Sequence, residues 1–103
     1  MERIQGLREI LTLDPKNSLA RYGLAMELVR DNQTDAAMIE FERLLTDDPN
    51  YTAAYFMAAQ ALASAGRTEA AIERLKKGVE SAVRTGNRHA QSEMQAMLDE
   101  LDR

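Results

Sequence analysis

Apolar residues recur along this chain at the spacing of helix faces. Successive residues of a helix are about 100° apart, so Leu24, Ala25 and Leu28 fall on one side of a single helix. Helix-breaking residues are few, with five Gly and two Pro, which favours long helices over a turn-rich β architecture. The pattern predicts six helices joined by short loops, at about residues 2–13, 17–31, 34–47, 51–65, 68–84 and 87–101.

The same pattern occurs twice, displaced by 34 residues, and ten positions are identical between the two copies. Chance would give about one or two such matches at ordinary residue frequencies. Conservative pairs such as Tyr22/Phe56 and Phe41/Leu75 keep the same register, so the chain contains an internal repeat. The identical pairs are Leu11/Leu45, Thr12/Thr46, Asp14/Asp48, Pro15/Pro49, Ala20/Ala54, Ala25/Ala59, Leu28/Leu62, Thr34/Thr68, Ala36/Ala70 and Ala37/Ala71.

Two kinds of turn separate the predicted helices. Asp-Pro pairs at 14–15 and 48–49 each end one helix and precede the next, because Pro disfavours helical geometry in the residue before it and suits a first turn. Asn32 and Gly66 fall in the tighter turns, where a left-handed residue is favourable. Both kinds of turn are short, so the predicted helices are joined by short loops.

Two further local signals refine the helices. Thr34 and Thr68 follow the tight turns, and their hydroxyls are predicted to cap the helices that begin there. Gly78 lies in the middle of the fifth helix, where Gly is about 1 kcal/mol less favourable than Ala. Its presence there predicts a close approach of another backbone.

The repeated motifs identify a family. Each copy carries apolar residues four apart on its first helix and, on its second, an Ala four residues before a larger apolar residue. The motifs are Leu24-Ala25-x-x-Leu28 with Ala37-x-x-x-Phe41, Leu44 and Pro49, and, less fully, Ala58-Ala59-x-x-Leu62 with Ala71-x-x-x-Leu75. This pattern resembles the tetratricopeptide repeat.

The resemblance implies an all-α fold of antiparallel helix hairpins, with about six helices in a right-handed superhelix. It divides a single domain, 1–103, into a half repeat at 1–17, repeats at 18–51 and 52–85, and a C-terminal capping helix at 86–103. The family pattern is broken at two positions. Arg21 stands where the first repeat usually has an aromatic, and Val83 replaces the terminal Pro of the second. The second change predicts that the fifth helix continues to Gly86.

The half repeat corresponds to the second helix of a full repeat, and Leu7 and Ile10 stand where Phe41 and Leu44 stand. In a full repeat another helix precedes this one and packs against it, and the half repeat lacks that helix. Its apolar residues Ile4, Leu7 and Leu11 are therefore candidates for an open end that a second copy of the chain would cover.

The predicted second helix has another apolar face, nearly opposite the one that carries Leu24. The predicted fourth helix has an equivalent face. In proteins of the resembled family the first helix of each repeat lines a concave surface, so the resemblance implies a groove. Met and aromatic side chains are typical of surfaces that accept peptides. The groove residues would be Leu19, Tyr22, Met26, Val29, Phe56, Met57 and Gln60.

The groove is predicted to bind an apolar or amphipathic segment of a partner protein, with Tyr22 and Phe56 as anchors. Some members of the family hold a terminal carboxylate with basic and amide side chains, but Tyr22, Met26, Phe56 and Gln60 stand at those positions. Two other interpretations are open. The face is either a buried internal contact, filled in part by the last helix, or the surface of a self-associating structural protein, a homodimer.

Composition and charge limit the function classes. The chain has no Cys, a formal net charge of −4 and a pI near 5.0, which makes nucleic acid and anionic membranes poor partners. The first residues include Glu2 and no apolar signal segment, and nowhere do 18 apolar residues run together. We expect a cytoplasmic protein with no nucleic-acid or membrane partner.

Residues suited to catalysis or metal binding are sparse. His89 is the single histidine and lies beside Arg84 and Arg88, so we interpret it as a surface residue. No glycine-rich phosphate loop and no zinc-protease or serine-hydrolase motif occurs. The basic run Arg74, Lys76 and Lys77 is more simply a solvated helix face than a docking patch. The sequence therefore predicts a protein that is not an enzyme and has no cofactor or metal.

Overall fold

Six α-helices joined by short loops make up the described chain, residues 2–103 of this computed structural model. No strand occurs in that range. Each predicted helix is present, and its ends agree with the prediction to within one residue, so the all-α fold of helix hairpins is confirmed. The helices are α1 (Glu2–Leu13), α2 (Ser18–Arg30), α3 (Thr34–Asp47), α4 (Thr52–Ser64), α5 (Thr68–Thr85) and α6 (Arg88–Leu101).

The first compact unit, Met1–Asp48, contains α1, α2 and α3. Helix α2 lies in the middle and packs against both of the others. Its residues Leu24, Ala25 and Leu28 are buried, as the helical spacing predicts. On α3, Ala37 and Phe41 are each 0% exposed. A small residue beside a large one lets the two helix axes approach while the larger side chain fills the remaining space.

The second compact unit, Pro49–Arg103, contains α4, α5 and α6. Here α5 packs against both neighbours, and α4 also contacts α6. Ala59, Ala71 and Leu75 are buried at the positions that correspond to Ala25, Ala37 and Phe41. Met94 of α6 is buried as well. The finer division of the chain into a half repeat, two repeats and a capping helix stays a prediction.

Helix α1 buries a different face from the one that its alignment with α3 implies. Ile10 is 45% exposed, whereas Ile4 and Leu11 are each 8% exposed, and Leu7 is half-buried. In the described chain α1 packs against α2 alone, so one narrow stripe is covered and the position equivalent to Leu44 is not. Ile4 and Leu11 therefore offer little surface to a second copy of the chain.

The tight turns adopt the predicted backbone. Asn32 and Gly66 have φ of 59° and 79°, and Gly86, with φ of 68°, ends α5 as predicted. The amide of Gln33 donates to the Leu28 carbonyl at 2.9 Å, a bond that closes the end of α2. The equivalent residues close α4 and α5 in the same way, from Arg67 to Leu62 and from Asn87 to Ala82.

The prediction that Thr34 and Thr68 cap helices with their hydroxyls is wrong. Both are the first residues of their helices, and the capping positions are held by Gln33 and Arg67, which make no side-chain capping bond. The cause is the shortness of the turn. The amides of Gln33 and Arg67 already close the preceding helix, so the next helix begins directly at Thr34 and Thr68. Asparagines cap α2 and α6: the Oδ1 atoms of Asn17 and Asn87 accept from the amides of Ala20 and Ala90, each at 3.0 Å.

Gly78 permits a close approach, but of side chains and not of the backbone that its mid-helix position predicts. A Cβ atom built there would lie 2.8 Å from Tyr55 Cβ and still nearer to Met94 Sδ. Both contacts are shorter than atoms of this kind tolerate. The absence of a side chain therefore allows α5 to pack tightly between α4 and α6. None of the helices in residues 2–103 combines the length and apolar character needed to span a membrane.

Candidate binding surfaces

The α2 face consists of Leu19, Tyr22, Met26 and Val29. Leu19 is 72% exposed, and the other three are half-buried. These residues lie on the side of α2 nearly opposite Leu24, as 100° per residue requires. The α2 face is therefore apolar and partly open to solvent.

The ring of Tyr22 has a defined orientation. It packs edge-on against Phe41 of α3, with ring centroids 6.5 Å apart and an interplanar angle of 67°, the geometry that aromatic pairs favour. Phe41 is fully buried, so the Tyr22 ring rests on the core while part of its surface stays exposed. A ring held in this way loses little side-chain entropy when a ligand covers it.

The α4 face consists of Phe56, Met57 and Gln60. Phe56 and Met57 are half-buried, and Gln60 is exposed. Phe56 and Gln60 are four residues apart and so lie on the same side of the helix, away from the buried Ala58 and Leu62. The seven predicted site residues thus form two groups, each on one helix face of its own unit. Neither Tyr22 nor Phe56 is fully buried.

The first unit also has a cleft that the sequence did not predict, which we call the cation-rich cleft. At its floor, Arg21 Nη1 donates to Glu40 Oε1 at 2.6 Å, and the two side chains are only 12% and 7% exposed. Arg43 Nη1 lies 3.5 Å from the other oxygen of Glu40. The cleft has a volume of about 340 Å³ and is lined by Arg8, Leu11, Thr12, Arg21, Leu24, Glu40 and Arg43.

A single clue to this cleft was present in the sequence. Arg21 stands where an aromatic is usual, and a charged residue at a core-facing position needs a partner. Its partner Glu40 is 19 residues away on another helix. No spacing rule connects positions so far apart, so the pair becomes visible only in the structure.

The residues considered for chemistry lie on the surface. His89 Nε2 is 3.3 Å from Glu93 Oε1, and the His89 side chain is 86% exposed, which fits the interpretation of His89 as a surface residue. Lys76 and Lys77 are exposed and Arg74 is half-buried. In the part of the chain that the structure describes, no three His, Cys, Asp or Glu side chains are placed to hold a metal ion.

A family profile described as the tetratricopeptide repeat matches residues 28–98, more than half of the chain. Together with the helix hairpins and their 34-residue register, this match defines the class of protein. The chain belongs to the tetratricopeptide repeat family.

Similar proteins cover most of this chain. A TPR repeat-containing protein of Pseudomonas aeruginosa is 29% identical over 100 residues, which span 97% of this chain and 95% of that protein. The solution structure of a tetratricopeptide repeat domain protein from Salinibacter ruber is 30% identical, with a TM-score of 0.78, and the match covers 85% of this chain and 89% of that one.

A third similar structure is the TPR2B domain of yeast Sti1, solved as a complex with pHsp70. It has a TM-score of 0.86 and covers 96% of this chain and 79% of that one. Its sequence is 17% identical, so this likeness shows the fold alone.

Proposed function

We propose that this chain is a protein-interaction scaffold that binds an apolar or amphipathic segment of a partner protein through the α2 face and the α4 face. The observation that carries the proposal is the pair Tyr22 and Phe56. They occupy equivalent positions of the two repeats, and each is apolar and half-buried. Partly exposed aromatics on a rigid helix are the usual anchors of protein interfaces.

The family supports a scaffold rather than an enzyme. Proteins built of tetratricopeptide repeats are typically non-enzymatic scaffolds, and the Sti1 domain of this fold is in a complex with pHsp70. A solved structure with the same fold is the type III secretion translocator chaperone SycD of Yersinia enterocolitica. In this chain the α2 and α4 faces offer apolar surface to a partner. They contain no cluster of charged side chains that would act as a clamp.

The chemistry of the two faces favours an amphipathic partner. The anchors and their neighbours on these faces, Leu19, Met26, Val29 and Met57, are apolar, and Met adapts to ligands of different shape. Gln60 adds one amide that donates and accepts hydrogen bonds. No Lys or Arg is among the seven residues, so an acidic tail would find no counter-charge there. A helix or extended segment with one apolar side fits better.

The experiment compares the native chain with the double variant Tyr22→Ala/Phe56→Ala. Partners are recovered by pull-down and identified by mass spectrometry, and the affinity of the recovered partner is then measured by calorimetry. We expect the double variant to bind at least about tenfold more weakly, because an anchor of this kind contributes about 2 kcal/mol. Val83 is 58% exposed on α5 and lies outside both faces, so Val83→Ala is the matched control. Unchanged affinity of the double variant would exclude these two faces as the site.

Self-association is a second candidate, favoured by exposed apolar residues on α1. Ile10 is 45% exposed and Leu13 is 89% exposed. They are three residues apart and lie on one side of the helix. A second copy could cover this side in a homodimer, whereas Ile4 and Leu11 are already buried. Light scattering of the native chain and of Leu13→Ser at high concentration tests this candidate, which a purely monomeric native chain would exclude.

A further inference from the structure

The cation-rich cleft carries positive charge in an acidic protein. Among its lining residues are three arginines, Arg8, Arg21 and Arg43, against one acid, Glu40. The whole chain has a formal net charge of −4, so the sign of the cleft is opposite to that of the molecule. Charge of one sign gathered in a concave site raises the local concentration of ligands of the other sign.

The three arginines differ in how far their charge is neutralised by contacts within the chain. Arg21 is committed, since Nη1 donates to Glu40 and Nη2 donates to the Pro15 carbonyl at 2.9 Å. Arg43 is 63% exposed and shares the same carboxylate at the longer distance of 3.5 Å. Within the described chain Arg8 is exposed and makes no ion pair. One carboxylate therefore serves two guanidiniums, and a third has no counter-charge.

The apolar part of the lining is almost closed, so the guanidinium groups dominate the surface that a ligand would meet. Leu11 of α1 and Leu24 of α2 are 8% and 1% exposed, and both border the cleft. A guanidinium presents several donors in a plane and pairs in bidentate fashion with a carboxylate. We propose that the cation-rich cleft binds a single Asp or Glu side chain of a partner protein, with Arg8 and Arg43 holding the carboxylate.

The surroundings favour one carboxylate over a polyanion. A neighbouring cavity shares Arg21 and Arg43 but is also lined by Glu42 and Asp47, and Asp47 is paired with Lys16 at 3.3 Å. Lys16 lines this cavity too, but its charge is paired with Asp47, so the cavity adds no unpaired cation for a second negative charge. A nucleic-acid backbone needs an extended basic surface, and here only Arg8 and Arg43 are available. The cleft therefore fits one negative charge.

This site is independent of the proposed function. Leu24 lines the cleft from the side of α2 nearly opposite Tyr22 and Met26. A partner could therefore contact the α2 face and the cleft with different segments. Loss of binding at one surface would leave the other unchanged, so the two assignments fail separately.

The test uses the full ¹⁵N-labelled chain and two short blocked peptides, acetyl-Leu-Glu-Leu-amide and its neutral counterpart acetyl-Leu-Gln-Leu-amide. We expect the Glu peptide to shift the NMR resonances of the Arg8 and Arg43 side-chain Nε–H groups, with weak but saturable binding, and the Gln peptide to shift them far less. Arg43→Gln and Arg8→Gln should each raise the Kd about tenfold, since a charge-assisted hydrogen bond contributes on the order of 1.5 kcal/mol. Arg88→Gln, at an exposed position of α6, is the matched control and should leave the Kd unchanged.

Several results would overturn the proposal. Equal shifts with the Gln peptide would show that charge is not recognised, and an unchanged Kd in both arginine variants would place the peptide elsewhere. Inorganic phosphate that saturates the same resonances as tightly as the Glu peptide would show an adventitious ion only. A dimer of the native chain that Arg43→Gln dissociates, seen by light scattering, would make a second copy the occupant. Should Arg43→Gln fail to fold, Arg8→Gln decides, because Arg8 has no ion pair in the described chain to lose.

Discussion

Arg21 and Tyr55, 34 residues apart, make the same hydrogen bond in their two repeats. Arg21 Nη2 donates to the carbonyl of Pro15, and the Tyr55 hydroxyl donates to the carbonyl of Pro49, each at 2.9 Å. In both cases the donor is six residues beyond the proline, so it ties the Asp-Pro loop to the helix that follows. The first repeat therefore makes this bond with Arg21, at a position where the family usually has an aromatic.

Arg21 differs from Tyr55 in needing a counter-charge, and this gives the first prediction. Arg21→Met leaves Glu40 without its main partner, and Glu40→Met leaves Arg21 as a nearly buried cation. Each single variant should lower the free energy of unfolding by about 3 kcal/mol, as breaking a buried pair from one side usually does. The double variant should lose less than the sum, with a coupling of about 0.5 to 3 kcal/mol. Urea denaturation of the four proteins measures the cycle.

The control for this cycle is a surface pair of the same unit. Lys16 Nζ lies 3.3 Å from Asp47 Oδ1, and the lysine side chain is 80% exposed. Lys16→Met should change stability by less than about 1 kcal/mol, since exposed pairs contribute little. Strictly additive losses at Arg21 and Glu40 would show that their contact contributes no stability.

The helices were predictable because their ends depend on local signals. Proline at 15 and 49 and left-handed residues at Asn32 and Gly66 act within one or two positions of the helix end, so the predicted boundaries hold to within one residue. The paired Ala and Leu positions similarly identified the buried faces. The cap at Thr34 was misassigned because sequence alone did not show that Gln33 already closes the preceding helix.

The binding surfaces were predictable only in part. The α2 and α4 faces follow from the 100° rule, which places Tyr22 and Phe56 away from the core. Which residues of α1 are buried depends on how many helices pack against it. The periodic pattern of apolar residues in the sequence does not show how many do. The cation-rich cleft depends on Arg21 meeting Glu40 from another helix, which becomes apparent once α2 and α3 are packed.

The capping residues provide the second prediction. Asn17→Ala and Asn87→Ala each remove an oxygen that accepts from an amide of the first turn, and each should destabilise the chain by about 1 kcal/mol. Thr68 is exposed and begins α5 without capping it, so Thr68→Ala should change stability far less. The midpoints of urea denaturation distinguish these variants. A loss at Thr68 as large as that at Asn87 would restore the threonine to a capping role.

Gly78 gives the third prediction. Ala is the better helix former by about 1 kcal/mol, but a Cβ at this position would meet Tyr55 Cβ at 2.8 Å. The clash should outweigh the gain in propensity, so Gly78→Ala is expected to destabilise by about 1 to 3 kcal/mol. Gly6 of α1 has no atom within 4 Å of its Cβ position, and Gly6→Ala should therefore stabilise the chain slightly. Thermal unfolding that shifts both variants in the same direction would contradict the close approach at Gly78.

The fourth prediction concerns the seam between α2 and α3, where Ala37 is 0% exposed. A Trp at this position has no space unless α3 moves away from α2, and overpacking of this kind costs about 1 to 3 kcal/mol or more. Ala70 is exposed on α5, so Ala70→Trp adds the same side chain without displacing a helix. We expect calorimetry to show a lower Tm for Ala37→Trp and little change for Ala70→Trp. If both variants melted like the native chain, the small residue at 37 would not set the distance between α2 and α3, and the seam would be looser than the packing of Phe41 implies.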